Sequence, residues 1–411
     1  MTTVSDDPRR RLSSDARRVV LAQALRAGVY GFGSVLLGAT LDSLGFSAGE
    51  TGLVLGAVVG GTVVASLAVG RWSDRWGRRR SYVTLYVLLA FTGVVFAVAS
   101  SPWMLAMVAL TGALSTEVVE SGPFTSLEQA MLASDLAGRE RLRGFSLYNA
   151  VAAACGSLGA LAAVVPGWAR EIWTDAPTDQ RWFLVFVPAA LAGATVAGSL
   201  SPRVEADRPH VPPRRLRASR PAIARLAGLF AVDSFGGGFT VQSFIAFWLH
   251  RRFGASTAEI GVVFAAMGML QTGSFLAAGR LAERFGLLRT MVFTHLPSNL
   301  LLGAVAFAPG FGVAIALLLA RTALSQMDVP TRQVYVMTLV DPNERTAAAA
   351  TTNTARYAVR PFAPPLAGAA ASSIALGAPF VIAGAIKAAY DLVLWRSFAT
   401  VPVPDDSEVP A

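Results

Sequence analysis

Twelve stretches of this chain are apolar for long enough to cross a lipid bilayer, which leaves very few folds open. They fall at about 18–41, 49–69, 82–100, 102–125, 144–166 and 181–200, then at about 222–249, 257–278, 289–308, 311–337, 347–374 and 376–399. A helix needs roughly 20 apolar residues to span the hydrocarbon core. Backbone in lipid must satisfy its own amide groups, so long apolar runs there become helices. Only 15% of the 411 residues are charged, against about 25% in a soluble domain. The fold class is therefore all-α, a membrane protein of twelve transmembrane helices.

The charges lie mostly between the apolar stretches. The formal net charge is +9, and Lys387 is the only lysine among 35 basic residues. A basic excess can mark nucleic-acid binding, but arginines placed in loops read as topology determinants, and no nucleic-acid partner is expected. With the N-terminus inside, inner segments carry 23 arginines and outer loops only Arg170, Arg181, Arg251 and Arg252. Both termini are expected in the cytoplasm, with the chain in the cell's inner (plasma) membrane. Residues 1–16 are polar and no cleavable signal peptide is visible. Cys155 is the only cysteine, and His210, His250 and His295 lie far apart. A disulfide within the chain is impossible, and neither a metal site nor a cofactor is expected.

An internal repeat divides the chain. GFSAGETG (45–52) matches GASTAEIG (254–261) at an offset of 209. In each copy Ser-x-x-Glu, Ser47/Glu50 and Ser256/Glu259, has the spacing of a helix-starting capping box. The same offset relates GRWSDRWGRRR (70–80) to GRLAERFGLLR (279–289). Gln129, Glu140-Arg141 and Asn149 recur as Gln333, Glu344-Arg345 and Asn353, at an offset of 204. The domains follow: a tail over 1–17, a six-helix bundle over 18–200, a Pro- and Arg-rich linker over 201–221, a second bundle over 222–400, and a tail over 401–411. Two such repeats place a binding site between them near mid-membrane. Gly52, Gly56 and Gly60 form a small-residue stripe that allows close helix approach.

Gly70-x-x-x-Asp74-Arg75-x-Gly77-Arg78-Arg79 lies in the loop after the second stretch, and its echo is Gly279-x-x-x-Glu283-Arg284-x-Gly286. This pattern resembles the signature loop of the major facilitator superfamily (MFS), in particular its drug:proton antiporters, over about residues 18–400. The resemblance implies that superfamily's fold, alternating access, and a cavity lined by helices 1, 4, 7 and 10 with help from 2, 5, 8 and 11. The antiporters' Gly-Pro motif of helix 5 has no counterpart in AAACGSLGALAA (152–163), which lacks proline. Physically, Asp74 suits a neighbouring helix N-terminus, and the arginines suit helix C-termini or a carboxylate. Glu128, near the inner end of helix 4, is the candidate partner of Arg75 or Arg79 in a cytosolic clasp. Asp328 and Arg332, i,i+4 in helix 10, are its counterpart in the second half.

Ionisable residues at membrane depth are costly and read as functional. Arg26 falls in helix 1, Glu117 and Glu120 in helix 4, Asp233 in helix 7 and Arg321 in helix 10. Arg356 and Arg360, i,i+4 in helix 11, repel unless water, an acidic partner or an anionic ligand separates them. Tyr30, Gln242 and Gln271 are plausible ligand contacts. Lys387 and Asp391, i,i+4 in helix 12, are expected to neutralise each other, and His295 is expected to be structural.

The function expected is secondary active transport: export of a small organic molecule against proton entry, by a monomer. The rival is uptake of a small metabolite or organic anion. No nucleophile–base constellation supports an enzyme, and no Gly-rich loop ending in Gly-Lys-Ser/Thr supports a nucleotide-driven pump.

Overall fold

The computed structural model describes residues 13–115, 117, 122–135, 138–177, 180–205, 219–340 and 344–400, and among them every regular element is helical. The first six spans are α1 (Ser14–Ser43), α2 (Ala48–Trp76), α3 (Arg78–Val98), the pair α4 (Pro102–Ala109) and α5 (Gly122–Asp135), the pair α6 (Gly138–Leu161) and α7 (Val165–Ile172), and α8 (Phe186–Gly198). The second six are the pair α9 (Arg220–Gly238) and α10 (Gln242–Phe253), α11 (Thr257–Phe285), α12 (Leu287–Val305), the pair α13 (Phe311–Ser325) and α14 (Asp328–Thr338), the pair α15 (Arg345–Val359) and α16 (Ala363–Ser373), and α17 (Ala378–Phe398). Among the described residues, eight helices or helix pairs are by themselves long and apolar enough to cross a membrane. Large apolar side chains such as Met107, Ile172 and Phe307 are more than 70% exposed, as lipid-facing residues are and a water-facing surface seldom is.

The internal repeat has the same local geometry in both halves. Each capping box is complete: the Glu50 and Glu259 carboxylates both accept their serine's N–H at 2.8 Å, and the serine Oγ accepts the glutamate N–H at 3.2 Å. The glycine closing each second helix, Gly77 or Gly286, has φ of 104° or 87°, where a side chain would be strained. The fourth, seventh, tenth and eleventh spans are broken, and three of the breaks have a local sequence cause. Gly112 and Gly122 (φ 71° and 60°) flank the interruption between α4 and α5, where hydropathy alone predicts one helix. Gly236, Gly237 and Gly238 precede the break before α10. Pro361 sits in the 3-10 turn at residues 360–362 between α15 and α16, where its missing N–H ends the α-helix.

Twelve crossings bring the first and last described helix ends to one side, here the terminal side. The two halves pack through α1 against α10, α2 against α16 and α6 against α11. The contacts are close where the sequence is small. A Cβ built on Gly52 would lie 2.5 Å from the Pro364 carbonyl and 2.8 Å from the Gly368 Cα. Ser243 Oγ donates to the Ser34 carbonyl at 3.0 Å. At the side away from the termini, Arg251 donates to the Asp42 carboxylate at 2.9 Å and to the Phe46 carbonyl at 3.0 Å. These bonds close that far side.

Candidate functional site

In the first half, Arg26 and Glu128 form an ion pair that is fully buried. Arg26 Nη2 donates to Glu128 Oε2 at 2.7 Å, and both side chains have no solvent-exposed surface. The Tyr82 and Tyr148 hydroxyls donate to the two Glu128 oxygens at 2.7 and 2.6 Å. The Arg26 guanidinium stands over the Tyr30 and Phe124 rings at 5.3 and 5.1 Å, adding cation–π attraction. Tyr30 O–H in turn donates to the Ala113 carbonyl in the interruption of the fourth span. A dry pair with this many hydrogen bonds fixes α1, α3, α5 and α6 to one another. Glu128 is therefore paired with Arg26 rather than with Arg75 or Arg79.

The second half holds a larger network. Asp233 on α9 is paired with Lys387 on α17, with Arg332 on α14 at 3.4 Å, and lies 3.8 Å from His295 Nε2 on α12. Arg332 also donates to Asp328 at 2.9 Å. The other ring nitrogen of His295, Nδ1, is 2.8 Å from Asp391, whose second oxygen accepts from Asn299 Nδ2 at 2.8 Å. All seven residues are at least nine-tenths buried. Lys387 does not neutralise Asp391: on successive turns of α17, Lys387 points to Asp233 while Asp391 turns to His295 and Asn299. His295 stands between two aspartates from two other helices.

The two ion pairs occupy related places. Glu128 and Arg332 are 204 residues apart, the offset of the repeat in this region, and Arg26 and Asp233 lie at matching depth in the first and seventh spans. The polarity is inverted, with arginine on the first span and aspartate on the seventh. Where the first half surrounds its pair with tyrosine hydroxyls, the second surrounds it with further titratable groups.

Between the halves, Arg360 pairs with Glu117, joining the eleventh span to the fourth. Glu120 lies outside the described residues. Arg321 and Arg356 are half-buried, and their Nε atoms, like that of Arg360, are buried without a hydrogen-bond partner. Ser234 Oγ donates to the Arg356 carbonyl at 2.8 Å, holding α15 against α9 beside Asp233. Gln242 opens α10 half-buried at the break in the seventh span. Gln271 donates to Gln326 at 3.0 Å, linking α11 to the turn after α13.

The signature loop is tied to its own half. Asp74 accepts from Arg78 Nε at 2.8 Å within the loop, rather than capping α3. The cap is Glu205, which accepts from the Arg78 and Arg79 N–H groups at 2.6 and 3.3 Å. Arg79 Nη1 donates to the Leu200 carbonyl at 3.2 Å, and Arg75 is exposed. Gly70 and Gly279 lie within α2 and α11 rather than in turns, and Glu283 and Arg284 are exposed, with Arg284 over the Phe285 ring at 5.3 Å. Sequence reasoning missed Glu205, and also missed Lys387, His295, Asn299 and Asp391 as one cluster. Their spacing carries no local signal. The 204 offset did carry one, since it aligns Glu128 with Arg332.

The family model for the Major Facilitator Superfamily matches residues 19–364 and, in a second alignment, 234–411. The chain belongs to the Major Facilitator Superfamily. An uncharacterized membrane protein of Saccharomyces cerevisiae, YJR124C, is 23% identical over 429 residues, covering 95% of each chain. Among solved structures, the superfamily fold is shared with a D-xylose–proton symporter (TM-score 0.72, 16% identity, 95% of this chain and 99% of that one). It is shared too with the nucleoside transporter NupG (0.69, 15%, 94% and 98%). A bacterial homolog of the human lysosomal transporter Spinster, inward-facing and occupied, gives 0.70 at 16% identity over 93% and 97%. These neighbours share the MFS fold of twelve helices.

Proposed function

We propose that this chain is a proton-coupled secondary transporter of small organic molecules, working by alternating access and in the direction of export. The observation that carries the coupling is Asp233: one buried carboxylate with cationic or titratable partners on three other helices, Lys387, Arg332 and His295. A carboxylate so placed can exchange one partner for another when it gains or loses a proton, and a change of partner between helices is a change of helix packing. The first half, with Glu128 saturated by Arg26, Tyr82 and Tyr148, then moves as a rigid body against it. The far-side contacts of Asp42, Ser34 and Gly52 would open as the terminal side closes. The arginine distribution supports a terminal side in the cytosol and the inner membrane as location, and one chain contains both halves of the site, so a monomer suffices. Export follows the resemblance of the signature loop to drug:proton antiporters.

Reconstituted vesicles with a pH gradient imposed in either direction test this reading. Solute should accumulate when the gradient drives protons towards the terminal side as solute leaves it, and Asp233→Asn should abolish the dependence on the gradient. Accumulation only with the opposite gradient would reverse the direction, and Asp233→Asn with unaltered proton dependence would remove Asp233 from the scheme.

A further inference from the structure

We infer that the transported solute is a small organic anion, held between the halves by Arg356 and Arg321 and competing with Glu117 for Arg360. The inference rests on the transporter reading and names its substrate class. It begins with the partners of the charges inside the spans. Among the described residues, Glu128 has Arg26, Asp233 has Lys387 and Arg332, Asp328 has Arg332, Asp391 has His295, and Glu117 has Arg360. Two cations are left. Among the described residues Arg321 forms no ion pair with Asp233 or Asp328, whose partners are Lys387 and Arg332. Arg356 has no carboxylate within ion-pair distance among the described residues.

Position turns this surplus into a site. Arg356 and Arg360 are four residues apart, so one turn of about 6 Å separates them on one face of the span. Arg360 reaches Glu117 of the other half, which shows that this face is turned to the interface between the halves. On its other flank the same stretch lies against α9: Ser234 holds the Arg356 carbonyl, and a Cβ on Gly238 would meet the Arg360 carbonyl at 3.0 Å. Three guanidinium Nε atoms, from Arg321 on α13 and from Arg356 and Arg360 on the eleventh span, are buried with none of them hydrogen-bonded.

An unsatisfied buried donor on a charged group is expensive, and like charges one turn apart add to that cost. An anion removes both costs. The guanidinium fork matches the two oxygens of a carboxylate or phosphate, which makes arginine the suitable residue for such a group. A cationic solute would face the reverse: it would have to draw Glu117 away from Arg360 and leave Arg356 and Arg360 exposed to one another. Anion binding also has a mechanical consequence. By offering Arg360 a second acceptor, the solute loosens the Arg360–Glu117 tie between the halves, so that an occupied site is freer to change its opening than an empty one.

The test uses the purified full-length chain in lipid nanodiscs and matched probes: benzoate with benzamide, lactate with lactamide, succinate with succinamide, and glucose 6-phosphate with glucose, with choline as cation. Thermal shift and equilibrium binding are both read. At least one anion should bind while its neutral partner does not, Arg356→Gln should weaken that binding tenfold or more, Arg356→Lys should recover part of it, and Glu117→Gln should strengthen it. Binding of neutral or cationic probes only, no binding by any anion, or anion binding unchanged in Arg356→Gln would overturn the inference. Vesicle transport separates the two readings. Anion binding without transport counts against the transporter, whereas transport of a neutral or cationic solute that Arg356→Gln leaves unchanged counts against the anion site alone.

Discussion

The Arg26–Glu128 pair allows a quantitative test of how the first half is held together. Glu128→Gln would leave the Arg26 guanidinium charged, fully buried and without a counter-ion. Breaking one side of a buried ion pair costs about 3–5 kcal/mol. Arg26→Gln would strand the carboxylate instead, and the Tyr82 and Tyr148 hydroxyls would offset part of the cost by remaining as donors. Replacing both residues removes both charges and leaves two amides able to hydrogen-bond, so the double variant should lie within about 2 kcal/mol of the parent. The interaction energy from the cycle should therefore be about 3 kcal/mol or more. With an unfolding entropy of about 2.1 cal/mol/K per residue, the 411 residues give about 0.9 kcal/mol per kelvin. Glu128→Gln should then lose about 3–6 °C, Arg26→Gln somewhat less, and the double variant about 2 °C or less. Cys155, the only thiol and half-buried in α6, provides the assay, since a thiol-reactive fluorophore reports its exposure as the bundle melts. Single variants within 1 °C of the parent, or a double variant whose loss equals the sum of the two, would refute the view that this pair is a dry structural joint.

Three further outcomes follow from the geometry. In a Cys155→Ser background, joining Asp42→Cys to Arg251→Cys with a short crosslinker should abolish transport, and reduction of a cleavable linker should restore it, because the two residues meet across the far-side closure. Gly52→Val should prevent that closure, since its Cβ would meet the Pro364 carbonyl at 2.5 Å; the expected result is a far side permanently accessible to an impermeant thiol reagent at an introduced cysteine, with the fold retained. Glu205→Gln should cost about 1 kcal/mol by weakening the charged cap at the start of α3, about a one-degree loss of melting temperature, and should leave solute binding unaltered.

Much of the architecture is legible in the sequence, because lipid imposes length and composition on each span separately and the duplication copies its local signals. The capping boxes at Ser47 and Ser256 and the positive-φ glycines at 77 and 286 are of this kind: each is decided within a few residues. The charge pairing is not. Lys387 reads locally as the partner of Asp391, one turn away on the same helix, and the competing partner Asp233 is 154 residues distant in sequence. Glu128 reads as a clasp for nearby loop arginines, and only the packing of α1 against α5 and α6 shows that Arg26 claims it. The interruption of the fourth span was likewise hidden, since hydropathy continues through Gly112 and only the backbone there leaves the helical region.

The opposite polarity of the two buried pairs limits how the halves could have diverged and how they can be recombined. From a duplicated bundle with arginine at position 233 and a carboxylate at 332, either change made alone would bury two like charges side by side. A viable route runs through a neutral couple, or through a loss of both charges followed by their return in the other order. The same constraint applies in the laboratory. Two copies of residues 18–200 assembled as a homodimer would bring together two sealed hubs and no Asp233 cluster, so co-expressed fragments should restore function only as an unlike pair.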